Sequence, residues 1–375
     1  MSQSYLKGMD GLRAIGVILV LIAHLWPRPG TMLDFFHFGR VGVILFFVIS
    51  GFLVVRSLLD LRGKVESNSG SYWGVLSVFG FRRALRIFPL YYLALIFLCW
   101  SNADPAFIDK LPWLVFYGSN YGPLFDISFD SADHFWTLAI EEQFYFIVPF
   151  LVIFFTRKRS CALIIGILFV GMLIKILSAY WLASHGVQGL WNKVTHPVWG
   201  CVEGLCLGAL LAYKPSLGTR FGNKSWMSLG IVLTFCASAY RYFNFSDINQ
   251  DPFYTSFSHI CFALLSFTLV AHVIADQSGL LVRMLEWPAF RWLGRVSYGV
   301  YVIHYIARPY GASLLSHYPD LFPSALQPYL LFFVVGVFSI ALASISYIFF
   351  ERPLLSLKRF YAEDRVGGLS VKVNN

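Results

Sequence analysis

Ten apolar stretches, most of them near the length that crosses a bilayer, are what most constrain this 375-residue chain. They fall at roughly 12–27, 41–60, 85–101, 135–155, 161–183, 197–213, 226–242, 253–275, 292–311 and 328–350. A helix rises 1.5 Å per residue and a hydrocarbon core is about 30 Å thick, so a span needs about twenty apolar residues. Only 13% of residues are charged, against about a quarter in soluble domains. A soluble fold is excluded. The expected architecture is an all-α, polytopic transmembrane helix bundle of about ten spans. One membrane domain covers 1–353 and a short tail follows at 354–375. The segment 111–118 (LPWLVFYG) is too short to span and is expected to lie at the interface or re-enter.

The first apolar run has ionisable residues at both ends and no small-x-small cleavage site, so it reads as a retained helix. The formal charge of +9 does not point to nucleic acid, because the basic residues follow the membrane. With the N-terminus inside, 22 lysines and arginines fall on the cytoplasmic side and six outside, namely Arg28, Arg40, Lys110, Lys193, Arg241 and Arg308. Lys175 lies within a span. By the positive-inside rule both termini are expected in the cytoplasm. The outer segment before the fourth span carries Asp104, Asp109, Asp126, Asp130 and Asp133. It reads as a solvated loop, or as the entrance for an acceptor. The six cysteines form no C-x-x-C pair and sit in or beside apolar runs, so neither a disulfide framework nor a metal site is expected.

Ionisable residues inside spans are costly and mark function by default. Arg13 and His24 are eleven residues apart, nearly on one helical face and about 16 Å apart along the axis. Arg13 stands at the cytoplasmic mouth, as a snorkelling anchor or a functional station, and Asp10 one turn earlier would hold it. His24 lies in the outer half. Adjacent Glu141 and Glu142 enter with the fourth span, where one carboxylate either takes part in chemistry or pairs with a buried base. Ser297, Tyr301, His304 and Arg308 recur on one face of the ninth. Helical rise puts His24, Glu141 and His304 at similar depth, as acid/base chemistry at a hydroxyl requires. Arg83 and Arg86, at i and i+3, suit a phosphate on the cytoplasmic side or serve as ordinary positive-inside decoration. Gly200, Gly204 and Gly208 form a small-xxx-small face for helix packing. Glu203 beside them lacks an obvious partner, and Ser50-Gly51 reads as close packing. No G-x-S-x-G elbow, Walker loop or H-E-x-x-H occurs.

Six motifs follow one another along the chain: D-G-L-R at 10–13 with His24 after ten further residues, F-F-x-x-S-G-F-L at 46–53 and R-R-x-x-R-I-x-P at 82–89. Then come W-T-L-A-I-E-E-Q-F-Y at 136–145, L-G-x-x-S-Y-x-x-Y-x-x-H at 293–304 and F-E-R-P at 350–353. Together they resemble the multi-pass membrane proteins of acyltransferase family 3. That resemblance implies transfer of an acyl group, commonly acetyl, from coenzyme A to hydroxyls of sugars. Acceptors include bacterial surface polysaccharides and lipid-linked glycans, and the membrane would be the bacterial cytoplasmic (inner) membrane. It implies Arg13, His24, Arg83, Arg86 and Glu141 as the functional core.

Combined with the depths, the arginines would hold acyl-CoA phosphates and His24 would act near the thioester, as general base or transient acyl carrier. Glu141 would orient His24, while His304, Ser297, Tyr301 and Glu142 would bind substrate. The expected partners are the bilayer, the acyl-CoA donor and a hydroxylated acceptor. A transporter or flippase would also bury ionisable groups, but it would not need paired arginines below a histidine.

Overall fold

The computed structural model describes residues 5–27, 36–68, 71–101, 105–244, 251–317, 323 and 326–357. Each of the ten apolar stretches falls within a helix to within two residues at its ends, the last continuing into a π turn. In chain order the helices are α1 (Met9–Leu25), α2 (Phe38–Asn68), α3 (Tyr72–Ser101), α4 (Pro105–Val115), α5 (Trp136–Phe154) and α6 (Arg157–Ser184). They continue as α7 (Leu190–Thr195), α8 (Val198–Tyr213), α9 (Ser216–Phe221), α10 (Lys224–Asn244) and α11 (Pro252–Ala275). The last are α12 (Leu280–Leu285), α13 (Pro288–Ser316), α14 (Gln327–Ser346) and α15 (Arg352–Ser356). Two 3₁₀ segments, Ser119–Phe125 and Asp130–Phe135, separate α4 from α5, and a π turn over Tyr347–Glu351 joins α14 to α15. The described residues form no strand.

Six helical stretches are long and apolar enough to cross a membrane: Phe38–Ser67, Tyr72–Ser101, Asp130–Phe154, Arg157–Ser184, Pro252–Ala275 and Tyr329–Ser356. α8 is apolar but shorter. Large apolar side chains face outward on these helices, among them Ile96, Trp100, Phe146, Phe169, Leu177 and Phe338. No water-soluble protein presents such a surface, which a lipid tail covers at no cost. This is a multi-pass membrane protein.

Glycine sets how closely the central helices approach. A Cβ at Gly208 would lie 2.0 Å from the Val48 carbonyl oxygen, and one at Gly51 2.1 Å from that of Leu205. Backbone therefore meets backbone between α2 and α8, the packing that small residues permit where lipid gives no hydrophobic drive. A Cβ at Gly294 would fall 1.8 Å from the Asp10 carbonyl oxygen, so the start of α13 presses directly on α1. α1 lies between α2 and α13, and α5 packs on α2. These four helices, with α3 beside them, carry the site.

One sequence expectation is corrected here. α3 begins at Tyr72, so Arg82, Arg83 and Arg86 sit in mid-helix and not at its start. The 111–118 segment ends α4 and tucks into the bundle, where the Tyr91 hydroxyl donates to the Leu114 carbonyl at 2.8 Å and Tyr92 to that of Val115 at 3.1 Å. The six cysteines are all free. Asp104 and the tail beyond Leu357 lie outside the described residues.

Candidate active site

The site is two cavities joined by one helix. α1 runs unbroken from Met9 to Leu25, so Arg13 and His24 keep their separation of about 16 Å. Arg13 lines a small cavity of about 80 Å³, and His24 lines a large one of about 690 Å³. Val43 and Tyr301 line both and form the partition between them.

The small cavity is cationic. Arg13, Arg83 and Arg86 line it together with Ser50, Glu141, Tyr145, Ser297 and Tyr298. Asp10 lies 3.7 Å from Arg13 and 3.8 Å from Arg295 of α13, a pairing made possible where Gly294 brings that helix onto α1. The Arg83 guanidinium stands 4.6 Å from the centre of the Tyr145 ring. Arg86 and Arg83 act on the charge of Arg13, and both Arg83 and Arg13 act on Glu141. Three guanidinium groups against few carboxylates leave this end net positive, which suits a polyphosphate. Glu351 of the F-E-R-P motif is buried in the π turn, where it accepts from Ser346 and feels Arg86.

Glu141 belongs to this end and is not the partner of His24. It accepts a hydrogen bond from Ser50 at 2.7 Å, within the motif read as packing alone. Counting helical rise from assumed span edges set Glu141 level with His24, whereas the packed helices place it at the depth of the Arg13 cavity. Glu142 lines neither cavity, and its Oε1 is buried without a hydrogen-bond partner among the described residues. Gln143, next in the motif, donates to the Tyr117 carbonyl at 2.8 Å and to Asn120 at 2.9 Å, tying α5 to the 3₁₀ segment. The Ser297 hydroxyl donates to the Gly294 carbonyl at 2.8 Å within its own helix.

At the other end His24 meets His304. Their rings stack at 5.1 Å, with His24 Nδ1 2.8 Å from His304 Nε2. The tautomers follow from the partners. His304 Nδ1 faces the Tyr301 carbonyl at 2.7 Å and the Val300 carbonyl at 3.2 Å, so it must carry the proton. Its Nε2 is then an acceptor, His24 Nδ1–H donates to it, and the lone pair of His24 resides on Nε2. His304 is fully buried and lines neither cavity, so within the site its side chain faces His24.

Sequence reasoning missed several residues of the large cavity. His134 opens the W-T-L-A-I-E-E-Q motif region, and its Nε2–H donates to the Val302 carbonyl at 3.2 Å. Its Nδ1 is buried and has no partner among the described residues. The Tyr301 hydroxyl donates to the His134 carbonyl at 2.8 Å and lies 2.6 Å from Thr137 Oγ1, which locks the partition in place. Arg40, Trp136, Trp191 and His196 line the same cavity. A histidine immediately before a polar span start was a legible signal for His134. Nothing local marks Arg40. Asp126 and Asp133 also line this cavity, so part of the acidic outer segment borders it.

Glu203 does have a partner, supplied by α6. Lys175 pairs with it in the bundle interior, Lys175 also donates to the Gly200 carbonyl at 3.2 Å, and His259 lies 3.9 Å from the carboxylate.

The acyltransferase domain model of family 3 matches residues 6–348. Among curated relatives, the peptidoglycan O-acetyltransferase OatA of Listeria monocytogenes is 26% identical over 378 residues, covering 94% of this chain and 56% of its own length. The O-acetyltransferase OatA of Staphylococcus aureus is 27% identical over 371 residues, with 94% and 58% covered. A putative peptidoglycan O-acetyltransferase, YrhL of Bacillus subtilis, is 27% identical over 328 residues, with 80% and 48% covered. The chain thus spans about half the length of the curated relatives it matches. No solved structure matches it. With a family model extending over nearly its whole length, the chain belongs to acyltransferase family 3.

Proposed function

We propose that this protein is a membrane O-acetyltransferase that moves an acetyl group from acyl-CoA to a sugar hydroxyl of a cell-wall polysaccharide or its lipid-linked precursor. The observation that carries the reading is the pair of cavities: a cationic one at Arg13, Arg83 and Arg86, and a roomy one at His24, divided by Val43 and Tyr301. The charge asymmetry of the loops supports ten spans with both termini in the cytoplasm, so the arginines face the donor and His24 faces outward. The setting is the bacterial cytoplasmic membrane, a reading in keeping with bacterial relatives named for peptidoglycan.

The arginines hold the donor's phosphates by forked, charge-assisted hydrogen bonds, and its flexible arm carries the thioester past Val43 and Tyr301. The small cavity has room for a phosphate or thioester group, with the rest of the coenzyme outside it. At the far side His24 Nε2 accepts the proton of the acceptor hydroxyl as its oxygen attacks the thioester carbonyl. The C–S bond breaks, the new C–O bond forms, and the proton passes from His24 to the departing thiolate. His304 Nε2 stabilises the transient imidazolium through the bond it accepts from His24 Nδ1–H, as the third member of a catalytic triad does for its histidine. Glu141 keeps the arginines in place from the opposite side.

Coenzyme A release from full-length protein in proteoliposomes tests this, with acetyl-CoA as donor and chitooligosaccharide or peptidoglycan fragments as acceptors. Acceptor-dependent release by wild type, with an Arg86→Ala variant whose KM for acetyl-CoA rises, is the expected outcome. Movement of glycan across the vesicle membrane with no thiol released would favour a flippase.

A further inference from the structure

The large cavity contains a cation that no carboxylate among the described residues pairs with. Arg40, near the start of α2, lies with its guanidinium carbon 4.6 Å from the ring centre of Trp136 and 5.2 Å from that of Trp191. Its Nη1 is buried and has no hydrogen-bond partner among the described residues. The acids that line the cavity are already engaged. Asp126 pairs with Lys193 at 2.7 Å, and Asp133 accepts from the Ser128 hydroxyl at 3.1 Å and from the Phe129 amide. The other polar groups around Arg40 are uncharged: the Cys201 thiol, with which it shares a hydrogen bond, and the Tyr301 and Tyr254 phenols.

Two indoles can shield a guanidinium by cation–π attraction and fix the plane of its fork, but they do not satisfy the buried Nη1–H donors. A buried donor without a partner is costly, and an anion seated in the cavity would relieve that cost. Arg40 also borders the space that His24 and Tyr301 line, so a molecule seated there would present other groups to His24.

We propose that the large cavity takes an acceptor bearing an anion, a carboxylate or a phosphate on the sugar, and that Arg40 receives that anion by a two-pronged hydrogen bond. The proposal rests on the reading of this cavity as the acceptor site. Trp136 and Trp191 orient the guanidinium, and the acceptor hydroxyl is thereby directed at His24. Arg40 is a specificity-determining residue, and it sits apart from the arginines of the donor end.

Matched probes separate the anion from the rest of the sugar. The disaccharide of N-acetylglucosamine and N-acetylmuramic acid with a free carboxylate is compared with its carboxamide, and N-acetylglucosamine 1-phosphate with N-acetylglucosamine. Binding to the purified full-length protein is measured calorimetrically without donor, and initial rates are measured with acetyl-CoA. The anionic member of at least one pair should bind about 10- to 150-fold more tightly than its neutral twin, the range for a hydrogen-bonded charge. The pair that shows it tells carboxylate from phosphate. Arg40→Gln should erase the difference by raising KM for the anionic probe, with kcat for the neutral twin changed by less than about threefold. Arg40→Lys should keep part of the preference.

Equal binding of both members in both pairs by wild type overturns the proposal, whether or not the variants fold. So does an Arg40→Gln protein that loses kcat equally on all probes with binding unchanged, because Arg40 would then act on the reacting carbonyl. Anion-selective binding that depends on Arg40, with no acetyl transfer to any probe, upholds the anion site and sinks the transferase reading alone.

Discussion

Replacing His304 tests the part of the mechanism that the tautomers dictate. His304 lies in the interior, touches neither cavity, and accepts the proton-bearing nitrogen of His24 at 2.8 Å. In His304→Ala, His24 loses the acceptor that fixes its tautomer and stabilises its charged form. A hydrogen bond to a charged group contributes about 1.5–3 kcal/mol, so the rate of transfer should fall about 10- to 150-fold. Because the bond matters only as His24 takes up a proton, the loss should appear in kcat, with KM for donor and acceptor nearly unchanged. His304→Gln restores an acceptor oxygen at the same position and can still donate to the Tyr301 carbonyl, so it should recover a measurable share of the rate. The assay is initial-rate acetyl transfer in proteoliposomes over a range of both substrates, on protein whose size-exclusion profile matches wild type. A rise in KM for the acceptor at constant kcat would refute the reasoning and return His304 to the substrate-binding role that its face on α13 suggested.

Two further perturbations examine the frame that holds the site. Lys175 and Glu203 form a buried pair, so Lys175→Met or Glu203→Gln alone should destabilise the protein by about 3–5 kcal/mol. The double variant should recover much of that loss, since removing one partner strands the other; thermal unfolding in detergent measures both. Gly208→Val should lower the unfolding temperature and reduce transfer together, because its Cβ alone would come within 2.0 Å of the Val48 carbonyl and push α8 from α2, which carries Arg40 and Val43.

Much of this arrangement was legible in the sequence because helical geometry is periodic. The eleven residues from Arg13 to His24 give their separation directly, and α1 keeps it. The glycine repeat announced close packing, and Gly204 and Gly208 deliver it against α2 while Gly200 delivers it against Val194 and Thr195 of α7. What the sequence could not supply was the register of one helix against another. Glu141 was placed level with His24, yet it lines the cavity of Arg13. The start of α3 was placed too late because a cluster of arginines reads as the edge of the membrane, whereas a helix continues through such an edge whenever its backbone bonds are intact. Arg40 looked like one more outer-loop charge. The residues that cage it, Trp136 and Trp191, come from two distant segments, and only the fold brings them to it. The partner of Glu203 was hidden for the same reason, since Lys175 reaches it from another helix.

The central claim is that His24 performs the proton transfer in acetyl transfer across the partition. The most direct measurement is single-turnover transfer of labelled acetyl from acetyl-CoA to a glycan acceptor, comparing wild type with His24→Ala in protein shown to bind acetyl-CoA equally well. The account predicts that the variant binds donor normally and transfers about 10²- to 10⁴-fold more slowly, the contribution of a general base. Transfer at the wild-type rate by His24→Ala would contradict it.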